Sequence, residues 1–279
     1  MVKFPIKIFS TLFFSLFTAV TGVGIVVPLL PVYARDMGAS GLYIALIFGG
    51  FSLTRTVFLP WFGSLSDRKG RKPFLVAGLF SYFIISLAFI FSHTVHSLIV
   101  IRLIQGVASA MIMPVAQAYV GDITPDGKEG FTMGAFNMSI FIGLSIGPLA
   151  GGVIQDHFGL NAAFGCMGAM AFIAFFLSFA LLPPVTAERI YEVGRPPLRW
   201  ALILKDRMLT SLICFRFVYT TCIGIIWGFL PVYADDAFGL SGSAIGVLVM
   251  LGVSIAGVIH IPMGMLADRG NKRRMIVLG

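Results

Sequence analysis

Along the chain, long apolar runs alternate with short breaks that carry charge, glycine or proline. The runs lie near 8 to 34, 42 to 65, 74 to 92, 96 to 121, 131 to 155, 161 to 182, 209 to 234 and 243 to 266. About 20 apolar residues are enough for a helix to cross the hydrocarbon core of a bilayer. The pattern therefore predicts eight membrane-spanning helices, numbered here as spans 1 to 8, with a ninth beginning at Met275. The first run is too long for the apolar core of a signal peptide and lacks a small-residue cleavage pattern near its end, so it reads as a retained span.

Composition agrees and removes other classes. Hydrophobic residues make up 58% of the 279 positions and charged residues only 11%, with a mean hydropathy of +0.95. A soluble domain carries about 25% charged residues, so lipid is the solvent for most of this chain. Its net charge of +8 would hint at nucleic acid in a soluble protein, but its placement tells otherwise. With the N-terminus inside, 16 of the 20 Lys and Arg fall in inner segments and Arg35 alone in an outer loop. Cytoplasmic loops retain positive charge, which predicts a multi-pass protein of the cell's inner, cytoplasmic membrane with a cytoplasmic N-terminus and no nucleic-acid partner. Cys166, Cys214 and Cys222 form no C-x-x-C pair and read as small packing residues within apolar runs.

An internal repeat organises the chain. Residues 24 to 36, GIVVPLLPVYARD, match residues 224 to 236, GIIWGFLPVYADD, at 8 of 13 positions. A second pair, GSLSDRKGRK at 63 to 72 and GMLADRGNKR at 264 to 273, follows at nearly the same offset. Spans 7 and 8 thus repeat spans 1 and 2 in parallel orientation, the plan of a transporter built from two bundles with a cavity between them. The expected units are a six-helix bundle over residues 1–183, a cytoplasmic linker over 184–208 that follows Pro183 and Pro184, and a partial second bundle over 209–279. By the repeat, four further helices are expected beyond Gly279, and the 279 residues alone are expected not to transport.

Three motifs carry a family resemblance. Gly63, Asp67, Arg68, Gly70, Arg71 and Lys72 resemble the loop 2–3 signature G-x-x-x-D-R-x-G-R-K of the major facilitator superfamily. Arg102, Gln105 and Gly106 resemble its fourth-helix signature R-x-x-Q-G. Gly143, Gly147, Pro148, Gly151 and Gly152 resemble the fifth-helix signature G-x-x-x-G-P-x-x-G-G of its drug:H+ antiporter branch, the twelve-span multidrug and tetracycline efflux type in particular. The resemblance covers the whole chain and implies an all-α major facilitator fold. It also implies that Arg71 pairs with an acid at the cytoplasmic end of span 4, the place of Asp122. It further implies a cytoplasmic latch between the halves, proton coupling through Arg102, and a span-5 stripe that seals the interface and sets the direction of antiport.

The residues have a physical reading of their own. Asp67, inside a basic loop, is not required by the charge rule, and as an anion it suits a helix N-terminus. Gly143, Gly147 and Gly151 recur every four residues and line one face of span 5, where small side chains let helices approach closely in lipid. Pro148 adds a kink. Arg102 costs at least ~2.5 kcal/mol inside a span on insertion scales and must face a cavity or a partner; bonds to backbone carbonyls would satisfy it as well. Gln105, Gly106 and Ser109 share its side of the helix.

Arg55 and Arg216 are further cations within spans, and no Asp or Glu sits at the middle of any span. The proton-carrying acid then lies outside this chain or is one of Asp36, Asp122, Asp156 and Asp235, and His260 is a further proton-coupling candidate. Arg55 and Arg216 also fit an anionic substrate, although outward snorkelling is the plainer account. Gln117, Tyr119, Asn137 and Trp227 are cavity candidates because polar side chains in lipid turn inward. Met111, Met113, Met133 and Met138 would give the cavity an adaptable apolar lining.

These features predict a secondary active transporter rather than an enzyme, monomeric at full length, that exports small amphipathic molecules in exchange for protons; transport of a small organic anion or metabolite is the alternative. No cofactor is expected. His93 and His96 alone make a poor metal site, the spans hold no lysine for a retinal-type chromophore, and no H-E-x-x-H ligand set occurs. The repeat favours alternating access over an open channel.

Overall fold

The computed structural model describes residues 5–125, 129–183 and 206–269, the side chains at 129, 130, 208, 212 and 256–269 excepted. Among the described residues every regular element is helical: α1 (Ile6–Val26), α2 (Leu30–Asp36), α3 (Gly41–Lys69), α4 (Arg71–Ile90), α5 (Val95–Ile123), α6 (Glu129–Phe158), α7 (Leu160–Leu181), α8 (Arg207–Phe238) and α9 (Gly242–Arg269). Seven helical stretches, the first formed by α1 and α2 together, are long and apolar enough to cross a membrane, and α9 occupies the eighth predicted span. The chain is a multi-pass membrane protein. Most of the 184–208 linker and the predicted ninth span lie outside the described residues.

Span 1 departs from the expected single helix. It breaks at residues 27–29 into α1 and α2. Pro28 and Pro31 supply no N–H to the helical ladder, and the Leu29 N–H closes a tighter bond to the Val26 carbonyl at 3.1 Å. Other helix ends follow local chemistry. Thr94 and Ser97 form a reciprocal capping box at the start of α5, and Gly70, with φ +93°, reverses the chain between α3 and α4 in a single residue.

Packing brings α1 against α6 and α7, α4 against α5 and α7, α3 against α5, and α9 against α6; α2 touches α8. The buried centre of this bundle includes Leu12, Leu30, Leu79, Leu98, Phe136 and Phe164. Phe89 stacks on Phe164 with ring centroids 5.1 Å apart. Large apolar side chains such as Leu53, Phe176 and Phe217 remain exposed, the arrangement that lipid rather than water requires.

Candidate functional site

Where α3, α4 and α5 share one end of the bundle, the Gly70 reversal turns Arg71 back beneath α3. Arg71 is only 6% exposed. Its Nε donates to Asp122 at 3.0 Å, its Nη1 donates to Ser66 Oγ at 3.0 Å, and it pairs with Asp67. Asp67 remains half exposed beside the exposed Arg68. A Cβ at Gly63 would meet nothing within 4 Å, so local crowding does not demand glycine there. Lys72 donates to the Leu182 carbonyl, and its ammonium lies 5.8 Å from the Phe179 ring centre.

Tyr119 differs from its expected place in a cavity. It is wholly buried, and its hydroxyl donates to the Pro183 carbonyl at 2.6 Å, which makes it a brace between spans 4 and 6.

Arg102, two turns into α5, is 3% exposed. Its Nε donates to the Ile47 carbonyl at 3.3 Å and its Nη1 to Gln105 Oε1 at 2.8 Å. The guanidinium also lies over the Phe48 and Phe51 rings, 5.1 and 4.5 Å from their centres, in two cation–π contacts. The charge is thus satisfied by carbonyl oxygens and aromatic faces. Gly106 explains how α3 comes this near: a Cβ there would lie 2.3 Å from the Phe51 carbonyl oxygen.

Arg55 is half-buried, with Nη2 3.3 Å from Met113 Sδ. Arg216 lies over Tyr219 at 5.4 Å from the ring centre. Among the described residues neither makes an ion pair.

The span-5 motif divides its work between two partners. Gly143, Gly147 and Gly151 face α1: added Cβ atoms would lie 3.1 Å from the Phe17 carbonyl oxygen, 2.8 Å from Gly24 Cα and 2.2 Å from the Ile25 carbonyl oxygen. Gly152 faces α9 instead, where its Cβ would lie 2.1 Å from the Gly242 oxygen, while Pro148 sets its ring toward Gly24 of α1 and its carbonyl oxygen toward α9, 2.3 Å from a Cβ at Gly246. The four-residue stripe therefore packs within the first bundle, and Gly152 and the Pro148 carbonyl meet the repeat.

At the opposite end of the bundle Asp156, in the last turn of α6, accepts hydrogen bonds from the N–H groups of Gly242 at 3.0 Å and Ser243 at 2.9 Å, and from the Ser243 hydroxyl. Nearby, Arg35 pairs with Asp36, Asp235 and Asp236. Sequence reasoning had Asp156 and Asp235 only as proton candidates; the visible signal for the second contact was the repeat itself, whose copies differ in charge at residues 35 and 235.

Of the remaining candidates, Gln117, Asn137 and Trp227 are half-buried. The His260 side chain lies outside the described residues. His96 packs edge-on against Tyr43 with centroids 5.6 Å apart, and no metal-ligand cluster occurs among the described residues. Cys214 and Cys222, expected as packing residues, are exposed, because the face of α8 that carries them has no helix against it among the described residues; Cys166 is partly buried.

Apolar helices long enough to cross a membrane, packed through small residues, are the architecture of a membrane transporter. The chain belongs to the Major Facilitator Superfamily, whose family model matches residues 12–279. It is 32% identical over 268 residues to an uncharacterized MFS-type transporter of Methanocaldococcus jannaschii, covering 94% of this chain and 69% of that one. Multidrug resistance protein 2 of Bacillus subtilis is 28% identical over 97% of the chain and 69% of its own length. Quinolone resistance protein NorA of Staphylococcus aureus is 27% identical over 73% of the chain, which spans only 54% of NorA. Among solved structures, the human organic anion transporter MFSD10 (TETRAN) shares the fold, with a TM-score of 0.68 at 18% identity over 91% of this chain and 70% of that one. The protein is a transporter, not an enzyme.

Proposed function

We propose that the protein is a proton-coupled exporter of small amphipathic molecules, working by alternating access between its two bundles in a cytoplasmic membrane with the N-terminus inside. The span-5 motif carries this reading: Pro148, Gly152 and Gly246 bring α6 and α9 into backbone contact across the repeat, and the relatives include quinolone and multidrug resistance proteins. In this reading the Arg71 pairs with Asp67 and Asp122, all within spans 2 to 4, order the first bundle's side of the cytoplasmic latch. Arg102 with Gln105 holds the proton-coupling region of span 4, and Gln117, Asn137 and Trp227 border the substrate path. The test is dye accumulation in everted vesicles carrying the protein. An imposed proton gradient should drive uptake of a lipophilic cationic dye, and collapse of the gradient should abolish it; gradient-independent flux refutes proton coupling.

A second reading, carriage of a small organic anion, is favoured by Arg55, whose guanidinium makes no ion pair among the described residues. Competition by an aromatic carboxylate, weakened in Arg55→Gln, would select this reading over the first.

A further inference from the structure

The two repeats approach each other at their outer ends, and the contact there has a specific charge logic. Residue 35 of the first repeat and residue 235 of the second are equivalent positions in the aligned segments PVYARD and PVYADD. They touch each other: Arg35 pairs with Asp235, its own counterpart, and with Asp236, the counterpart of Asp36. Two equivalent positions meet in this way only close to the axis that relates the repeats. Identical charges at such a place would repel at short range. A reversal of sign at this one position converts the encounter into an attraction. Arg35 carries one positive charge among three carboxylates, so the bond is the element that keeps this acidic cluster closed.

A second contact joins the same two parts of the chain at the same end. Asp156 closes the last turn of α6 onto the first turn of α9, accepting from two backbone N–H groups that have no intrahelical partner. An anion there is also favoured by the helix dipole. Below it, the Gly152–Gly242 and Pro148–Gly246 approaches leave no room for a side chain. By contrast, the cytoplasmic ion pairs of Asp67, Arg71 and Asp122 stay within spans 2 to 4.

We propose that Arg35 with Asp235 and Asp236, together with Asp156 on the N-terminus of α9, forms an outer lock between the repeats that must open whenever the transport path faces outward. These are positioning residues of the transport cycle, and they act without touching substrate. The lock goes beyond the exporter reading and holds for either substrate class, because it concerns the path and not the cargo.

The test reads accessibility rather than flux, which separates its failure from that of the exporter reading. In the full chain, with Cys166, Cys214 and Cys222 changed to serine, a reporter cysteine replaces Ala234, a buried residue at the outer end of α8. The chain is placed in right-side-out vesicles and treated with a membrane-impermeant maleimide. Arg35→Gln and Asp156→Ala should each raise the labelling rate several-fold. The charge exchange Arg35→Asp with Asp235→Arg should bring the rate back toward the background, since it restores the pair with its sign inverted. A second reporter at Ala163, fully buried in the first bundle, should stay unlabelled throughout. Unchanged labelling at Ala234 in both single variants overturns the proposal. So does an exchange variant that labels as fast as Arg35→Gln, and so does parallel labelling at Ala163, which would make these contacts braces of the whole fold.

Discussion

Gly151 leaves no space for even one methyl group, since a Cβ there would sit 2.2 Å from the Ile25 carbonyl oxygen. The obstacle is backbone, which cannot swing aside like the end of a side chain. Gly151→Ala should therefore lower stability by on the order of 1–3 kcal/mol, the usual cost of overpacking. Gly165→Ala, where a Cβ meets nothing within 4 Å, should be neutral, and thermal unfolding in detergent compares the two. At this scale the sequence was informative about which positions mattered and less so about what they touch. A glycine every four residues announces a close-packed face, but not that Gly151 and its neighbour Gly152 serve different helices. The Arg71–Asp122 pair followed from family resemblance, whereas the shared bond to Ser66 needed the Gly70 reversal in three dimensions. Tyr119 was misplaced because a hydroxyl near a span end looks alike whether it faces a path or a carbonyl at the end of a neighbouring helix.

Among the elements, α6 holds a special position because it packs on both α1 and α9. Docking of α9 depends on Gly246, where a Cβ would lie 2.3 Å from the Pro148 carbonyl oxygen; at Gly252 nothing lies within 4 Å. Gly246→Val should thus push α9 away from α6, and Gly252→Val should not. Oxidative cross-linking between cysteines replacing Asp156 and Ser243 measures the difference: the bridge should form readily with Gly252→Val and fall several-fold with Gly246→Val. The helices themselves were readable because a run of about 20 apolar residues has few other uses. The break in span 1 was not, since proline is tolerated inside membrane helices; Pro60, Pro114, Pro148 and Pro231 all sit within unbroken ones.

For the molecule as a whole, the bias of Lys and Arg toward one side predicts a direction through the membrane. Single cysteines should obey it in a background free of the native three. At Thr94, before α5, labelling from outside intact cells is expected; at Arg68, in the loop motif, it is expected only after permeabilisation. The opposite pattern would invert every assignment of inner and outer ends made above. The all-helical fold was the most legible property, because apolar runs and family motifs are summed over many residues and survive local exceptions. Contacts between the repeats were the least legible, since they depend on how two distant segments happen to meet.

Gly70 separates α3 from α4 by one residue, and Gly159 does the same for α6 and α7. Such connections have no slack. Each pair of spans is tethered like the two arms of a stiff hairpin, and neither arm can slide far along its neighbour. The exporter proposed above would then rearrange by helices tilting together in pairs.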